Sequence, residues 1–181
     1  MDKISYLLAI TPPNEVSRKV DEYRKIYKKL ISSIEPHITI YPPFHTEDLD
    51  IIIKKLSEEL FSLKSEEVTL DSIGYFENRN DSNVVYFKPN SKSIIYLKEI
   101  NSASSVVLKG RVLLKYDDNI SDFNPHMTIS AGIADKLFTE IKDELTNVAE
   151  TFTFIVYSVD LYKKIGDIGI WNKINEIKLK A

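Results

Sequence analysis

Apolar positions along this chain switch between a period near two and a period near 3.6, and the switches mark out its elements. Ile4 to Ile10 is a short apolar run that reads as a strand, closed by Thr11-Pro12-Pro13. Val16, Val20, Tyr23, Ile26, Tyr27 and Leu30 then recur at helical spacing and predict a helix reaching about Ile31. Arg18, Lys19, Arg24, Lys25, Lys28 and Lys29 fall largely on its other face. A solvated face is the ordinary reading of that charge, and a phosphate-steering patch is the alternative. His37 to Tyr41 alternates with β-branched residues as a strand does, and Pro42-Pro43 is expected to stop it.

Further on, Asp48 to Phe61 carries Leu49, Ile52, Ile53, Leu56 and Leu60 on one helical stripe. Val68 to Phe76 and Val84 to Lys88 predict two strands joined by a polar turn. Ser91 to about Ser104 predicts a third helix, and Ser105 to Asp122 has no clear period. A strand over His126 to Ser130, a helix over Ala134 to Val148 and a strand over Phe152 to Tyr162 follow. The last strand, Ile168 to Leu179, is interrupted around Trp171-Asn172-Lys173. Strand, helix and a His-x-Thr strand come early; a His-x-Thr strand, a helix and long strands come late. The doubled order predicts two similar α+β lobes around one cleft, within a single domain spanning residues 1–181.

Composition narrows the chemistry. The chain has no cysteine, which excludes disulfides, thiolate metal sites and a cysteine nucleophile. Its net charge of −3 makes a long nucleic-acid duplex an unsuitable partner, since such binding needs a broad basic surface. A small phosphorylated ligand or a short single-stranded end needs only a few local charges. No apolar run approaches the roughly 20 residues needed to cross a bilayer, and no signal-peptide core follows Met1. The expectation is a cytoplasmic monomer with no membrane partner.

Only three histidines occur, and two of them open the same pattern: Pro36-His37-Ile38-Thr39-Ile40 and Pro125-His126-Met127-Thr128-Ile129. Chance would produce such a pair in roughly one or two per cent of chains of this composition. In a strand, residues i and i+2 share a face, so each His emerges beside its Thr while the apolar residues pack behind. Two imidazoles on opposite sides of a phosphate suit phosphodiester chemistry. One takes a proton from an attacking water and the other gives one to the departing ribose oxygen, both near working pH. The Thr39 and Thr128 hydroxyls can donate to the non-bridging oxygens as charge shifts.

At these motifs the chain resembles the two-histidine (2H) phosphoesterase superfamily, which includes 2'-5' RNA ligase-like proteins and cyclic phosphodiesterases. The resemblance extends over nearly the whole chain. Tyr6 to Ile10 with Pro12-Pro13, the segment Ile73 to Asn78 followed by Val84 to Phe87, and Leu161-Tyr162 through Trp171 to Leu179 match the family's remaining strands. It implies an α+β bilobal fold, with two pseudo-symmetric antiparallel sheets and outer helices around a central cleft. It also implies catalytic His37 and His126, phosphate-binding Thr39 and Thr128, and neither metal nor other cofactor. The implied substrate is a cyclic (2',3'-type) or 2'-5' phosphodiester on a nucleotide or short RNA end. A non-catalytic nucleotide- or RNA-binding module and a reversible 2'-5' RNA ligase are the competing readings. Tyr41, Phe44, Tyr162 and Trp171 are candidate base-stacking rings, with core packing as the ordinary alternative for each. His45 lies outside the motifs and is expected on an exposed turn.

Overall fold

Every predicted helix finds its apolar stripe on a sheet. The computed structural model describes residues 3–27, 33–78, 82–116, 123–146 and 148–181. In chain order these form β1 (Ile4–Ile10), α1 (Asn14–Tyr27), β2 (Ile38–His45), α2 (Leu49–Leu60), β3 (Glu66–Phe76), β4 (Asn83–Pro89), α3 (Ser91–Leu108) and β5 (Leu113–Leu114). Then come β6 (Met127–Ile133), α4 (Asp135–Leu145), β7 (Phe152–Val156), β8 (Ser158–Ile165) and β9 (Asn172–Lys178). Ile52, Leu56 and Leu60 face inward from α2, and Phe138, Ile141 and Leu145 from α4, each at spacings of three or four. Asn90 caps α3, its side chain accepting from the Ser93 amide at 2.8 Å.

The fold is α+β. The strands run in the order β7-β3-β4-β6-β2-β1-β8-β9, with β5 on the side of β2, and every pairing in this curled sheet is antiparallel. The two expected sheets are thus the halves of one sheet. Strand–helix–motif strand–helix occurs twice, and each half exchanges parts with the other. The strand β3 joins β4 and the strand β8 joins β1, while α1 packs on β6 and α3 on β2. The main core lies between the helices and one sheet face. A smaller cluster of Leu7, Ala9 and Tyr162, with Ile34 and Trp171 against it, lies apart from that core. No helix among the described residues is long and apolar enough to cross a membrane.

Several local expectations change. The single strand expected over Phe152 to Tyr162 is two, β7 and β8, which pair with β3 and β1 in opposite halves of the sheet. Pro42-Pro43 does not end β2, which continues to His45. Between the pairs Leu8↔Tyr41 and Tyr6↔Phe44 the register shifts, so both prolines sit at a bulge where a missing N–H breaks no regular ladder. His45 consequently ends a strand, half-buried, and its Nδ1 bonds the Ile4 carbonyl. The helix α3 extends four residues beyond Ser104, to Leu108. Arg24, assigned above to the outer face of α1, points inward with Val16 and Val20, while Ile26 is 70% exposed. The steps 16, 20 and 24 keep Arg24 close to the buried stripe at about 100° per residue, whereas Ile26 rotates away from it. Residues 28–31, the expected end of that helix, lie outside the described residues, as do residues 117–122 of the segment without a clear period.

The packing separates two apolar positions that composition treats alike. Leu56 is fully buried and Ile168 fully exposed. Leu56→Ala is expected to cost about 2–5 kcal/mol in urea unfolding, and Ile168→Ala less than about 0.5 kcal/mol. Equal effects would contradict this core.

Candidate active site

The two motifs meet where the halves of the sheet join. The strands β2 and β6 overlap only at their beginnings, through the antiparallel pair Ile38↔Met127. That register sets His37 opposite Thr128 and Thr39 opposite His126. Ile38, Ile40, Met127 and Ile129 point into the main core. The alternation of side chains therefore turns His37, Thr39, His126 and Thr128 to the other face, and all four are half-buried there. Diagonal neighbours across such a pair are roughly 7–8 Å apart, room for one phosphate group between two imidazoles.

Each ring is held in the same way. His37 Nδ1 bonds the Glu35 carbonyl at 2.8 Å, and His126 Nδ1 bonds the Asn124 carbonyl at 2.8 Å. A carbonyl can only accept, so Nδ1 carries the hydrogen in both rings and Nε2 is left as the basic atom. The acceptor lies two residues back, across Pro36 or Pro125, both buried. Proline fixes its own φ and holds the residue before it extended, which presets that carbonyl.

The outer supports differ between the halves. The Tyr162 hydroxyl donates to Glu35 Oε1 at 2.8 Å and lies 2.6 Å from Thr11 Oγ1. On the other side the Tyr86 phenol bonds the Asn124 side chain. The rings of Phe76 and Tyr86 both stand 5.0 Å from the His126 ring, the first perpendicular and the second tilted. Gly74 makes room for this arrangement. A Cβ there would lie 2.2 Å from Tyr86 Cε2.

Arg24, read from the sequence only as part of a charged helix face, is buried beside the motif strands. Its side chain is 6% exposed, its Nε donates to the Thr128 carbonyl at 3.0 Å and its Nη1 to the Ile34 carbonyl at 3.3 Å. Its signal in the sequence was the four-residue step from Val16 and Val20. Phe76 and Tyr86 gave no such signal, because only the β3–β4 and β4–β6 registers carry them to His126. Burial is the largest influence on His37 and lowers its pKa to about 4; the Glu35 carbonyl opposes this, and Arg24 and His126 add to it. Burial also lowers His126, against its Asn124 carbonyl.

Of the four candidate stacking rings, Tyr41 and Phe44 are 1% and 0% exposed in the main core and have no face to offer a base. Tyr162 is equally buried and serves through its hydroxyl. Trp171 alone of the four is half-exposed. It lines a cavity of about 400 Å³ with Ile170, Ile34, Glu35, Arg24 and Lys25, and Lys164 Nζ stands 5.9 Å from its ring centroid. A second cavity of about 590 Å³ lies on the other side of Glu35, lined by Thr11, Asp160 and Lys173 among others. Both adjoin Glu35, whose carbonyl holds His37, and neither is lined by the histidines. Among the described residues, no three His, Asp or Glu side chains gather as a metal site would require.

The model of the 2'-5' RNA ligase superfamily matches residues 12–168 of the chain, including both motifs. The chain belongs to that superfamily. A candidate phosphoesterase of Staphylococcus aureus strain JH1 is 28% identical over 174 residues, covering 95% of this chain and 97% of the relative. Two solved structures share the family's fold with it. Escherichia coli LigT in complex with 3'-AMP superposes with a TM-score of 0.65 at 13% identity, over 100% of both chains. TT0787 of Thermus thermophilus does so at 0.64 and 15%, over 98% of both.

Two predictions follow from how the rings are held. An imidazole whose pKa is lower in the folded than in the unfolded chain is protonated first in the unfolded chain. The stability tied to it is complete above the ordinary value of 6.5 and lost as pH falls toward about 4. The melting temperature of the wild type should therefore fall more steeply over that window than that of His37→Gln; parallel curves would contradict the burial of a neutral ring. Gly74→Ala should drive Tyr86 against Phe76 and His126, costing about 1–3 kcal/mol in urea unfolding and lowering whatever turnover His126 supports.

Proposed function

We propose that this chain is a metal-independent phosphoesterase that hydrolyses a cyclic, 2',3'-type, or 2'-5' phosphodiester of a nucleotide or short RNA end. The observation that carries this reading is the overlap of β2 and β6 at Ile38↔Met127, with both Nδ1 atoms tied back to carbonyls. It leaves two basic Nε2 atoms on the face that also bears two threonine hydroxyls. One neutral imidazole accepts the proton of a water as the water oxygen attacks phosphorus. The other, protonated, gives its proton to the ribose oxygen as the phosphorus–oxygen bond breaks. Thr39 and Thr128 donate to the non-bridging oxygens, where charge grows in the transition state.

The ligand class is supported from two sides. Structures of the LigT neighbour hold 3'-AMP, phosphate and ATP. In this chain, Arg24 and Lys25 in one cavity are matched by Asp21 and Glu35, and Lys173 and Lys178 in the other by Glu35, Asp160 and Glu176. Neither wall offers the broad basic surface that a long polyanion needs. In this reading Trp171, half-exposed at the first cavity, is the ring that takes a base.

A panel of 2',3'-cyclic nucleotides and 2'-5' dinucleotides, with products identified by phosphorus NMR, tests the reading. His37→Ala and His126→Ala should each lose on the order of 10²–10⁴ in turnover, and chelators should leave the wild-type rate unchanged. Retention of most activity by either variant, or binding of the panel without turnover, would overturn the two-histidine mechanism.

A further inference from the structure

The second cavity, of about 590 Å³, has no part in the two-histidine chemistry, yet its wall begins beside His37. The strands β1 and β2 pair through Ala9↔Thr39 and Ile10↔Ile38, and the next step of that register sets Thr11 opposite His37. Ala9 packs with Tyr162 in the small cluster apart from the main core, so Thr11, two residues on, shares the histidine face. The contact of its Oγ1 with the Tyr162 hydroxyl at 2.6 Å agrees with that direction. Opposed side chains on paired strands begin roughly 4.5–5.5 Å apart, so the cavity opens one side chain away from the imidazole.

The lining is acidic where it is deepest. Asp160 pairs with Ala9 and so points to the same face, where it is 3% exposed. Its Oδ1 takes Lys173 Nζ at 3.2 Å, and Lys173 also reaches Glu176 at 3.6 Å. Glu176 in turn holds Lys178. Both ammonium groups in the lining are therefore committed to carboxylates, and Glu35 is a third carboxylate there. An ionised carboxylate offers about four acceptor sites and no donor, so acceptors are left over where cations are not. At the mouth, Tyr157 is 58% exposed and presents a ring face to solvent, with Pro12 and Pro13 also in the wall. A volume of this size is in the range of small-ligand sites.

We propose that this cavity is a subsite for an unphosphorylated nucleoside, the 3'-terminal one of a short RNA. Its ribose diol donates to Asp160 and Glu176, and its base rests on Tyr157. The placement beside the scissile phosphate rests on the phosphoesterase reading. A free diol brings two O–H donors to a wall rich in acceptors. A 3'-phosphate would bring up to about two negative charges to carboxylates whose cations are already engaged. The nucleoside on the other side of phosphorus goes to the first cavity, with Trp171. The preferred substrate is thus a chain end with a free diol, rather than a cyclic mononucleotide, which leaves this cavity unfilled.

Two measurements test the subsite. In amide NMR of the intact protein titrated with adenosine, Thr11, Tyr157 and Lys173 should shift together. Shifts confined to Trp171 and its neighbours, or no shifts at millimolar adenosine, would overturn the proposal. In turnover, the ratio of kcat/KM for 2'-5' adenylyl-adenosine to that for 2',3'-cyclic AMP should fall about tenfold in Tyr157→Ala. Tyr157→Phe, which keeps the ring, should restore it. An unmoved ratio in folded Tyr157→Ala would contradict the base platform. A 3'-phosphate on the dinucleotide should lower kcat/KM, and less so in Glu176→Gln; equal values with and without it in the wild type would sink the diol assignment. The amide map is read without turnover. A wild type that cleaves neither substrate would reject the phosphoesterase reading, while joint shifts at Thr11, Tyr157 and Lys173 would still establish the nucleoside subsite.

Discussion

The site depends on one strand crossing. The strands β2 and β6 touch at their first residues and run apart, so the only stretch they share is the pair of motifs. This short overlap joins the two halves of the sheet and brings each histidine opposite the other half's threonine. Ile38 and Met127 hold the crossing from beneath, fully buried in the main core. The exchange of α1 and α3 supports it from the same side, since each helix braces the motif strand of the opposite half. Neither half contains both motifs, which come together only where the halves meet.

Around that crossing the backbone fixes the imidazoles more than side chains do. In both motifs a carbonyl two residues back selects the tautomer, and a buried proline sets the carbonyl. This device is symmetric because it is built into the repeated tetrapeptide. The next layer is not repeated. One half uses Tyr162 with Glu35, and the other uses Tyr86 with Asn124 and a wall of Phe76 over Gly74. Symmetry thus ends one layer out from the histidines.

Much of this was legible in the residues alone. Helical stripes, alternating strands and the paired motifs gave the α+β class, the doubled order and the four residues on one face of the sheet. The misreadings share a cause. Pro42-Pro43 reads as a strand end unless the bulge against β1 is known. Arg24 reads as surface because arginine usually is, although its position in the stripe says otherwise. Tyr41 and Phe44 read as available rings because they follow a motif, yet the alternation of β2 and its bulge turn both into the core.

By itself the sequence determined what is local: which residues face together along a strand or helix, and that two proline-led histidine motifs recur. These follow from backbone period and from the restriction proline places on its neighbours, and both act over a few residues. The tertiary structure alone decided that the motifs overlap, that a cation from α1 lies at one end of the overlap, and that aromatic rings lie at the other. Those facts arise from pairings between residues 40 to 104 positions apart, and no local period encodes which strand will lie beside which.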